Sequence, residues 1–173
     1  MAKFENCIEY VLLNEGGFSD DSDDSGGATN FGITQPTLSL WRGHLVSSDD
    51  VRNMMVSEAI AIYKQYYWDR LNIDGIFSDG KATCILDLAV NRGCMKSVIY
   101  AQTACHQLGS IIQIDGIIGP ASIREINRWP DFIVAFEGIV EAGYEGIAAK
   151  HPDQSKFLNG WLNRARRMLT LRT

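Results

Sequence analysis

The sequence has no apolar run that approaches the roughly 18 residues a membrane-spanning helix needs. It also has no apolar stretch of the kind found in a signal peptide, because Glu5, Asn6 and Glu9 interrupt the pattern near its first residues. These absences predict that the protein has no integral membrane segment. They also predict synthesis in the cytoplasm without a signal peptide.

Basic residues are few and are not arranged as a nucleic-acid surface. The formal net charge is −5, and the cations cluster between residues 150 and 173, where Asp153 is the only carboxylate. This short helical face lacks the interleaved aromatic platform on which single-stranded bases stack. Nucleic acid is therefore not an expected partner.

Patterns for metal ligands and nucleophiles are also missing. The cysteines form no C-x-x-C pair, which predicts free, buried thiols at Cys7, Cys84, Cys94 and Cys105. The histidines are far apart and lack spacing such as H-E-x-x-H, which argues against a zinc amidase or peptidase. No serine or cysteine has a histidine partner in its local sequence. We expect neither a metal nor a cofactor.

The chain has only four prolines and no strong alternating pattern of the kind that predicts strands. Helical apolar spacing predicts a mainly α fold, with a small β-hairpin near residues 18–35. We expect one compact unit with an N-terminal region at 1–92 and a C-terminal region at 93–173. The predicted helices span 3–14, 50–55, a segment capped by Ser57, 81–92, 95–108, a segment opened by Pro120, 131–147 and 156–171.

Glu15 is a carboxylate on the apolar face of the first helix. The residues before it form an apolar helical stripe: Phe4, Cys7, Ile8, Val11 and Leu12. Glu15 continues this stripe, and Gly16-Gly17 predicts the end of the helix. Partial burial and the negative end of the helix dipole both favour a protonated carboxyl, as a general acid requires. A solvent-exposed glutamate beside a glycine cap is the alternative.

The loop after Gly17 is rich in aspartate and glycine. A calcium loop is not supported, because aligning Asp21 and Asp23 to the loop template places Gly32 where a bidentate glutamate is needed. The glycines let backbone pass close to a bulky ligand, and Asp24 and Thr29 would converge with the helix end on one cleft. Glycoside hydrolysis needs such a set: an acid for the leaving oxygen, and a second polar group that places water or stabilises positive charge.

A series of short motifs runs in order along nearly the whole chain. They are Glu15-Gly16-Gly17-Phe18, Asp24-x-Gly26-Gly27-x-Thr29-x-x-Gly32-Ile33-Thr34, Ala59-x-x-Ile62-Tyr63 with Tyr67-Trp68, Asp87-x-Ala89-Val90-Asn91-x-Gly93, Asp115-Gly116-x-x-Gly119-Pro120 and Gly160-Trp161-x-Asn163-Arg164. Together they resemble the phage endolysin N-acetylmuramidases of glycoside hydrolase family 108. The last two are similar to the C-terminal peptidoglycan-binding region of that family.

The resemblance implies a lysozyme-like helical fold. It also implies hydrolysis of the β-1,4 bond between N-acetylmuramic acid and N-acetylglucosamine in bacterial peptidoglycan. Glu15 aligns with the family's catalytic glutamate. Asp24 and Thr29 are similar to the Glu, Asp, Thr order of phage T4-type lysozymes, with the last gap one residue shorter. Gln35 and Asn91 are candidate substrate-binding residues, and for Asn91 a structural turn is the alternative.

Ser122 stands where the family usually has threonine, two residues after the proline of the turn. Its hydroxyl predicts a local capping role. The tryptophans are expected to pack in the core rather than stack on sugars: Trp41, Trp68, Trp129 and Trp161.

Two other functions stay open from the sequence. A lytic transglycosylase also uses a glutamate but leaves 1,6-anhydro ends, and a non-catalytic peptidoglycan-binding or secretion-assisting protein could keep the same fold. We expect a monomer that acts on peptidoglycan after release. A phage lysozyme that waits for a holin pore and a secretion-system cargo fit the absent signal peptide equally well.

Overall fold

The computed structural model describes residues 1–20 and 27–172. Over these residues the chain is mainly helical with a single two-stranded antiparallel sheet, which confirms the predicted fold class. The α-helices are α1 Phe4–Glu15, α2 Gln35–Arg42, α3 Ser48–Arg52, α4 Val56–Tyr63, α5 Asp69–Leu71, α6 Asp79–Arg92, α7 Cys94–Gln107, α8 Pro120–Arg128, α9 Phe132–Lys150 and α10 Leu158–Arg167. The other elements are strands β1 Thr29–Asn30 and β2 Ile33–Thr34, a π-helical turn at Lys64–Trp68, and 3₁₀ segments at Pro152–Phe157 and Met168–Leu171.

α6 is the central helix and is buried along most of its length. Every residue from 81 to 89 is buried, and α1, α7 and α9 pack around it. The Ser78 side chain caps its N-terminus by accepting a hydrogen bond from the Lys81 N–H at 3.3 Å. A helix covered on every side has apolar residues facing in all directions. Asp87 is the one carboxylate within this buried stretch.

α1 packs its apolar stripe against α6, as the spacing predicts. Phe4, Cys7, Ile8 and Val11 are buried. The phenylalanine, isoleucine and valine among them each contribute about 1.5–3 kcal/mol when fully buried. The helix ends at Glu15, and Gly16 follows with a φ of 74°. The predicted helix end is therefore confirmed.

The predicted cap of α4 at Ser57 is wrong, because the helix already begins at Val56, the residue before Ser57. The Met55 carbonyl accepts hydrogen bonds from the N–H groups of Glu58 and Ala59, at 2.9 and 3.2 Å. Met55 is thus the residue that precedes the helix. Ser57 lies inside the first turn rather than ahead of it.

β1 and β2 form the predicted hairpin, with Thr29 opposite Thr34. The two turn residues, Phe31 and Gly32, have φ values of 50° and 73°. Two positive φ values are typical of a type I′ turn, whose twist suits a two-residue hairpin. Ser19 also pairs with Thr29, through two backbone hydrogen bonds of 2.8 Å.

The turn before α8 is held by the buried side chain of Gln102, on α7. Its amide oxygen accepts from the N–H groups of Asp115 and Gly116 at 3.0 and 2.9 Å, and its amide nitrogen donates to the Ile117 carbonyl at 3.0 Å. The Ser122 hydroxyl lies 3.2 Å from the same amide nitrogen, while α8 has no side-chain cap. The predicted capping role of Ser122 is therefore wrong, because its hydroxyl supports the preceding turn instead.

The predicted division of the chain at residues 92 and 93 falls at the junction of α6 and α7. Gly93 stands between the two helices with a φ of 84°, and the helices pack against each other. α7 and α10 both pack on α9. The division itself stays a prediction.

All four cysteines are free, with three buried and Cys94 partly buried. Trp68 is 1% exposed in the core, and the other three tryptophans are partly buried and pack against the core. In the part of the chain that the structure describes, no helix combines the length and apolar character that crossing a membrane requires.

Candidate active site

The Glu15 carboxylate lies at the C-terminal end of α1 and contacts Arg164 of α10. The Glu15 side chain is 16% exposed, and the Arg164 Nη2 donates to its Oε1 at 2.5 Å. The two residues are 149 positions apart in the sequence. The two ends of the chain therefore meet at this ion pair.

Arg164 is held in turn by Asp87, whose side chain is fully buried in α6. The guanidinium makes a bidentate contact, with Nε 3.0 Å from Oδ2 and Nη2 2.9 Å from Oδ1. Asn14 also donates to the Asp87 Oδ1 at 2.9 Å. Fork-to-fork contacts of this kind fix the guanidinium in one orientation. Asp87 thus positions the cation that contacts Glu15.

The charges of this cluster are unequal. Burial alone would lower the pKa of Arg164, but the hydrogen bonds and charge of Asp87, with those of Glu15, raise it above its ordinary value. One permanent cation therefore faces two carboxyl groups, and Asp87 takes most of its hydrogen bonds.

The hairpin turn passes directly over Glu15. A Cβ atom built on Gly32 would lie 2.6 Å from the Glu15 Oε2 and 2.5 Å from the Tyr63 hydroxyl. Side chains larger than hydrogen are therefore excluded here, and the φ of 73° independently favours glycine. The glycine lets the backbone approach the carboxylate closely.

Tyr63 ties the turn to the helical body. Its hydroxyl donates to the Phe31 carbonyl at 2.7 Å. Burial raises the pKa of the Tyr63 phenol, and the charge of Glu15 raises it further, so the hydroxyl stays protonated. The rings of Tyr63 and Tyr67 pack with centroids 5.6 Å apart. Burial, Cys94 and Glu15 likewise raise the pKa of Tyr67.

The other candidate site residues lie in different surroundings. Thr29 is half-buried on β1, on the strand that leads into the turn over Glu15. The Gln35 amide nitrogen donates to the Val46 carbonyl at 2.7 Å, and the Asn91 side-chain oxygen accepts from the Tyr144 hydroxyl at 2.7 Å. Asp24 lies outside the described residues, as does the Asp21–Gly26 stretch tested for calcium. Within the described residues, no three His, Cys, Asp or Glu side chains are grouped to hold a metal ion.

Sequence reasoning missed Asp87, Arg164 and Tyr63 as site residues. Each lies in one of the motifs, so the motifs pointed to the positions but not to the roles. Asp87 gives the same signal as Glu15, a carboxylate between apolar neighbours, here Leu86 and Leu88. Arg164 gives no such signal, because it stands among other cations on a helix with exposed arginines.

Two family models match the chain in succession. Residues 8–93 match the family described as Glycosyl hydrolase 108, and residues 96–166 match the one described as Predicted Peptidoglycan domain. Among solved structures, the chain is similar to SagA from Brucella abortus, with 29% identity and a TM-score of 0.79. That similarity covers 98% of this chain and 92% of the other. No curated protein matches the sequence.

A glycosyl hydrolase match followed by a peptidoglycan domain, in one helical chain, identifies a glycoside hydrolase that acts on peptidoglycan. Within that class, residues 8–93 belong to glycosyl hydrolase family 108.

Proposed function

We propose that the protein is an N-acetylmuramidase that cleaves the β-1,4 bond between N-acetylmuramic acid and N-acetylglucosamine, with Glu15 as the general acid. The observation that carries the proposal is the setting of Glu15. Its carboxyl is largely buried at a helix end, fixed by Arg164 and covered by the Gly32 turn. A positioned carboxyl group of this kind is what protonation of a glycosidic oxygen requires.

In this proposal the Arg164–Asp87 pair serves Glu15 in two ways. The 2.5 Å contact with Arg164 holds the carboxyl in one orientation before proton transfer. After Glu15 has donated its proton, the same guanidinium stabilises the resulting carboxylate. Asp87 is a positioning residue, since it contacts Arg164 rather than the sugar.

The second catalytic group is Asp24, acting with Thr29. In glycoside hydrolysis a second polar group places water or stabilises the oxocarbenium-like charge. Thr29 precedes the turn over Glu15 by two residues, which is compatible with that role. Gln35 and Asn91 complete the proposal as substrate-binding residues.

The cellular setting that we propose is lysis of a bacterial host by a phage endolysin. The enzyme would act as a monomer on peptidoglycan strands after a holin opens the membrane. Secretion as an effector is the competing route. Cleavage of host sacculi only after membrane permeabilisation supports the endolysin route, and delivery through an intact membrane contradicts it.

End-group analysis of digested sacculi tests the reaction. Muramidase action adds one water per cleaved bond and produces reducing N-acetylmuramic acid ends, which borohydride converts to the alditol. Mass spectrometry after reduction should show these alditols. Products one water lighter, with 1,6-anhydro ends, would establish a lytic transglycosylase. Sacculi that are bound but never cleaved would establish a binding protein.

A further inference from the structure

A cavity of about 580 Å³ lies between α2, the π-helical turn and the start of α7. Its lining includes Tyr66 and Tyr67 together with three cationic side chains: Arg70, Arg92 and Lys96. No carboxylate side chain belongs to that lining among the described residues. The chain as a whole has a net charge of −5, so the cavity is a positively charged region on a negatively charged protein.

The cavity is next to the proposed active site. Tyr67 lines the cavity, and its ring packs against the ring of Tyr63. The Tyr63 hydroxyl and the Glu15 carboxylate both lie against the Cα of Gly32, because a Cβ built on Gly32 would contact both groups. The rings of Tyr67 and Tyr63 thus connect the lining of the cavity to the surroundings of Glu15. A substrate long enough to cross the active site would reach the cavity as well.

Two of the three cations lie near aromatic rings. Arg92 lies over the ring of Tyr144, 5.8 Å from its centroid, and the Lys96 amine is 5.7 Å from the ring centroid of Tyr100. Neither side chain has an ion-pair partner in the described part of the chain, and the same is true of Arg70. Their positive charges are therefore available to an anionic ligand.

We propose that this cavity binds the carboxylates of the peptide stem that peptidoglycan carries on N-acetylmuramic acid. The inference rests on the proposed function, and it names the part of the substrate that the cavity binds. A stem is attached to the muramic acid sugar at the bond to be cleaved, so a strand at Glu15 must place stems beside it. Stem peptides carry free carboxylates, and the cavity volume lies within the range of ligand pockets. The tyrosines supply apolar surface for the peptide between those charges.

Equilibrium binding of three small probes tests the inference without using catalysis. The first probe is the disaccharide N-acetylglucosaminyl-N-acetylmuramic acid bearing a tetrapeptide stem, and the second is the same disaccharide without the stem. Neither contains the bond that the proposed reaction cleaves. A third probe, the stem-bearing disaccharide with its carboxylates converted to amides, separates the effect of charge from that of the peptide.

The wild-type protein should bind the charged stem probe about tenfold more tightly than either of the others. Arg92→Gln and Lys96→Gln should each reduce that preference, and the double variant should abolish it. Lys150→Gln, which removes an exposed cation at the end of α9, should leave the preference unchanged. Thermal unfolding of each variant checks that the fold is kept.

Equal binding of all three probes by the wild-type protein would overturn the inference, as would a preference that the double variant retains. Failure of the proposed function gives a different result. In that case sacculi would release no reducing muramic acid ends, whereas the binding measurements would be unaffected.

Discussion

At the scale of single residues, one arginine determines the surroundings of two carboxyl groups. Asp87 is fully buried and receives a bidentate contact from Arg164, whereas Glu15 receives one short contact and remains partly exposed. A buried charge is tolerated only when it is paired and hydrogen-bonded. Asp87 therefore fixes the cation, and Glu15 is the carboxyl group of the cluster that stays partly exposed.

Replacing Asp87 by asparagine keeps the shape of the side chain but removes its charge. The buried positive charge of Arg164 would then lack the negative charge of its main partner, so the free energy of unfolding should fall by about 3 kcal/mol. Activity on sacculi should also fall, because the guanidinium is no longer fixed against Glu15. Asp69→Asn, which breaks an exposed ion pair with Lys64, should cost about 1 kcal/mol or less in urea unfolding. Equal losses for the two variants would contradict the role assigned to Asp87.

Gly32 and Gly43 allow steric crowding at the site to be separated from backbone strain. Their φ values are 73° and 75°, but a Cβ on Gly43 would meet nothing within 4 Å. Both Gly32→Ala and Gly43→Ala should cost about 1 kcal/mol of stability for the left-handed backbone. Only Gly32→Ala should also displace Glu15 and reduce turnover, by about a hundredfold. Turnover that falls equally in both variants, or in neither, would show that the turn does not position Glu15.

At the scale of elements, helical spacing predicted the long helices well and short-range details poorly. The stripe on α1 and the helix at 81–92 follow from local periodicity, and both are confirmed. α2 was not predicted, because its eight residues offer too short an apolar pattern. The cap at Ser57 failed because the choice of first residue depends on backbone geometry that a side-chain pattern does not determine.

Local sequence patterns also explain why Glu15 was predicted as a site residue and Arg164 was not. Glu15 was found because its own neighbours make it unusual. Arg164 was missed because its partner Glu15 lies 149 residues away, and only the packing of α10 against α9 determines that they meet.

Lys81 joins two elements that are distant in the sequence. This buried residue of α6 donates from its amine to the carbonyls of Ile126 and Trp129, at 2.7 and 2.8 Å, at the C-terminal end of α8. Lys81→Met should leave those carbonyls unsatisfied and lower the free energy of unfolding by about 3 kcal/mol. Lys150→Met, an exposed change near the end of α9, should shift it by no more than about 0.5 kcal/mol. A Lys81→Met protein as stable as the wild type in urea would show that the contact does not join the helices.

At the scale of the whole molecule, Asp79 and Asp115 are carboxylates that stabilise the fold while they are ionised. Hydrogen bonds from the Asn6 side chain and the Lys3 N–H hold the pKa of Asp79 below its ordinary value, and this contact joins the start of α1 to the start of α6. Hydrogen bonding from Gln102 likewise lowers the pKa of Asp115 in the turn before α8. Acid should therefore destabilise both the contact between α1 and α6 and the turn before α8.

The sign of the pH dependence follows from these lowered values. A carboxyl whose pKa is lower in the folded state stabilises the fold above its unfolded pKa, about 4, and the stabilisation is lost as pH falls through the folded pKa. The free energy of unfolding should accordingly be steady above about pH 5 and fall between about pH 4 and 2. Asp79→Asn should flatten this fall, and Asp153→Asn, a change at an exposed carboxylate, should not. Urea unfolding at several pH values in this range measures the free energy of unfolding. Identical pH profiles for Asp79→Asn and the wild type would show that Asp79 does not contribute to the pH dependence.

The central claim is that Glu15 donates the proton in glycan cleavage, and turnover of Glu15→Gln on purified sacculi tests it most directly. Glutamine keeps the size of the side chain and an oxygen for Arg164 but has no acidic proton. The account predicts that release of reducing ends falls by about 10²- to 10⁴-fold, while sacculus binding and thermal stability stay near those of the wild type. Glu9→Gln, an exposed change on the same helix, should keep full activity. Full activity in Glu15→Gln would contradict the account.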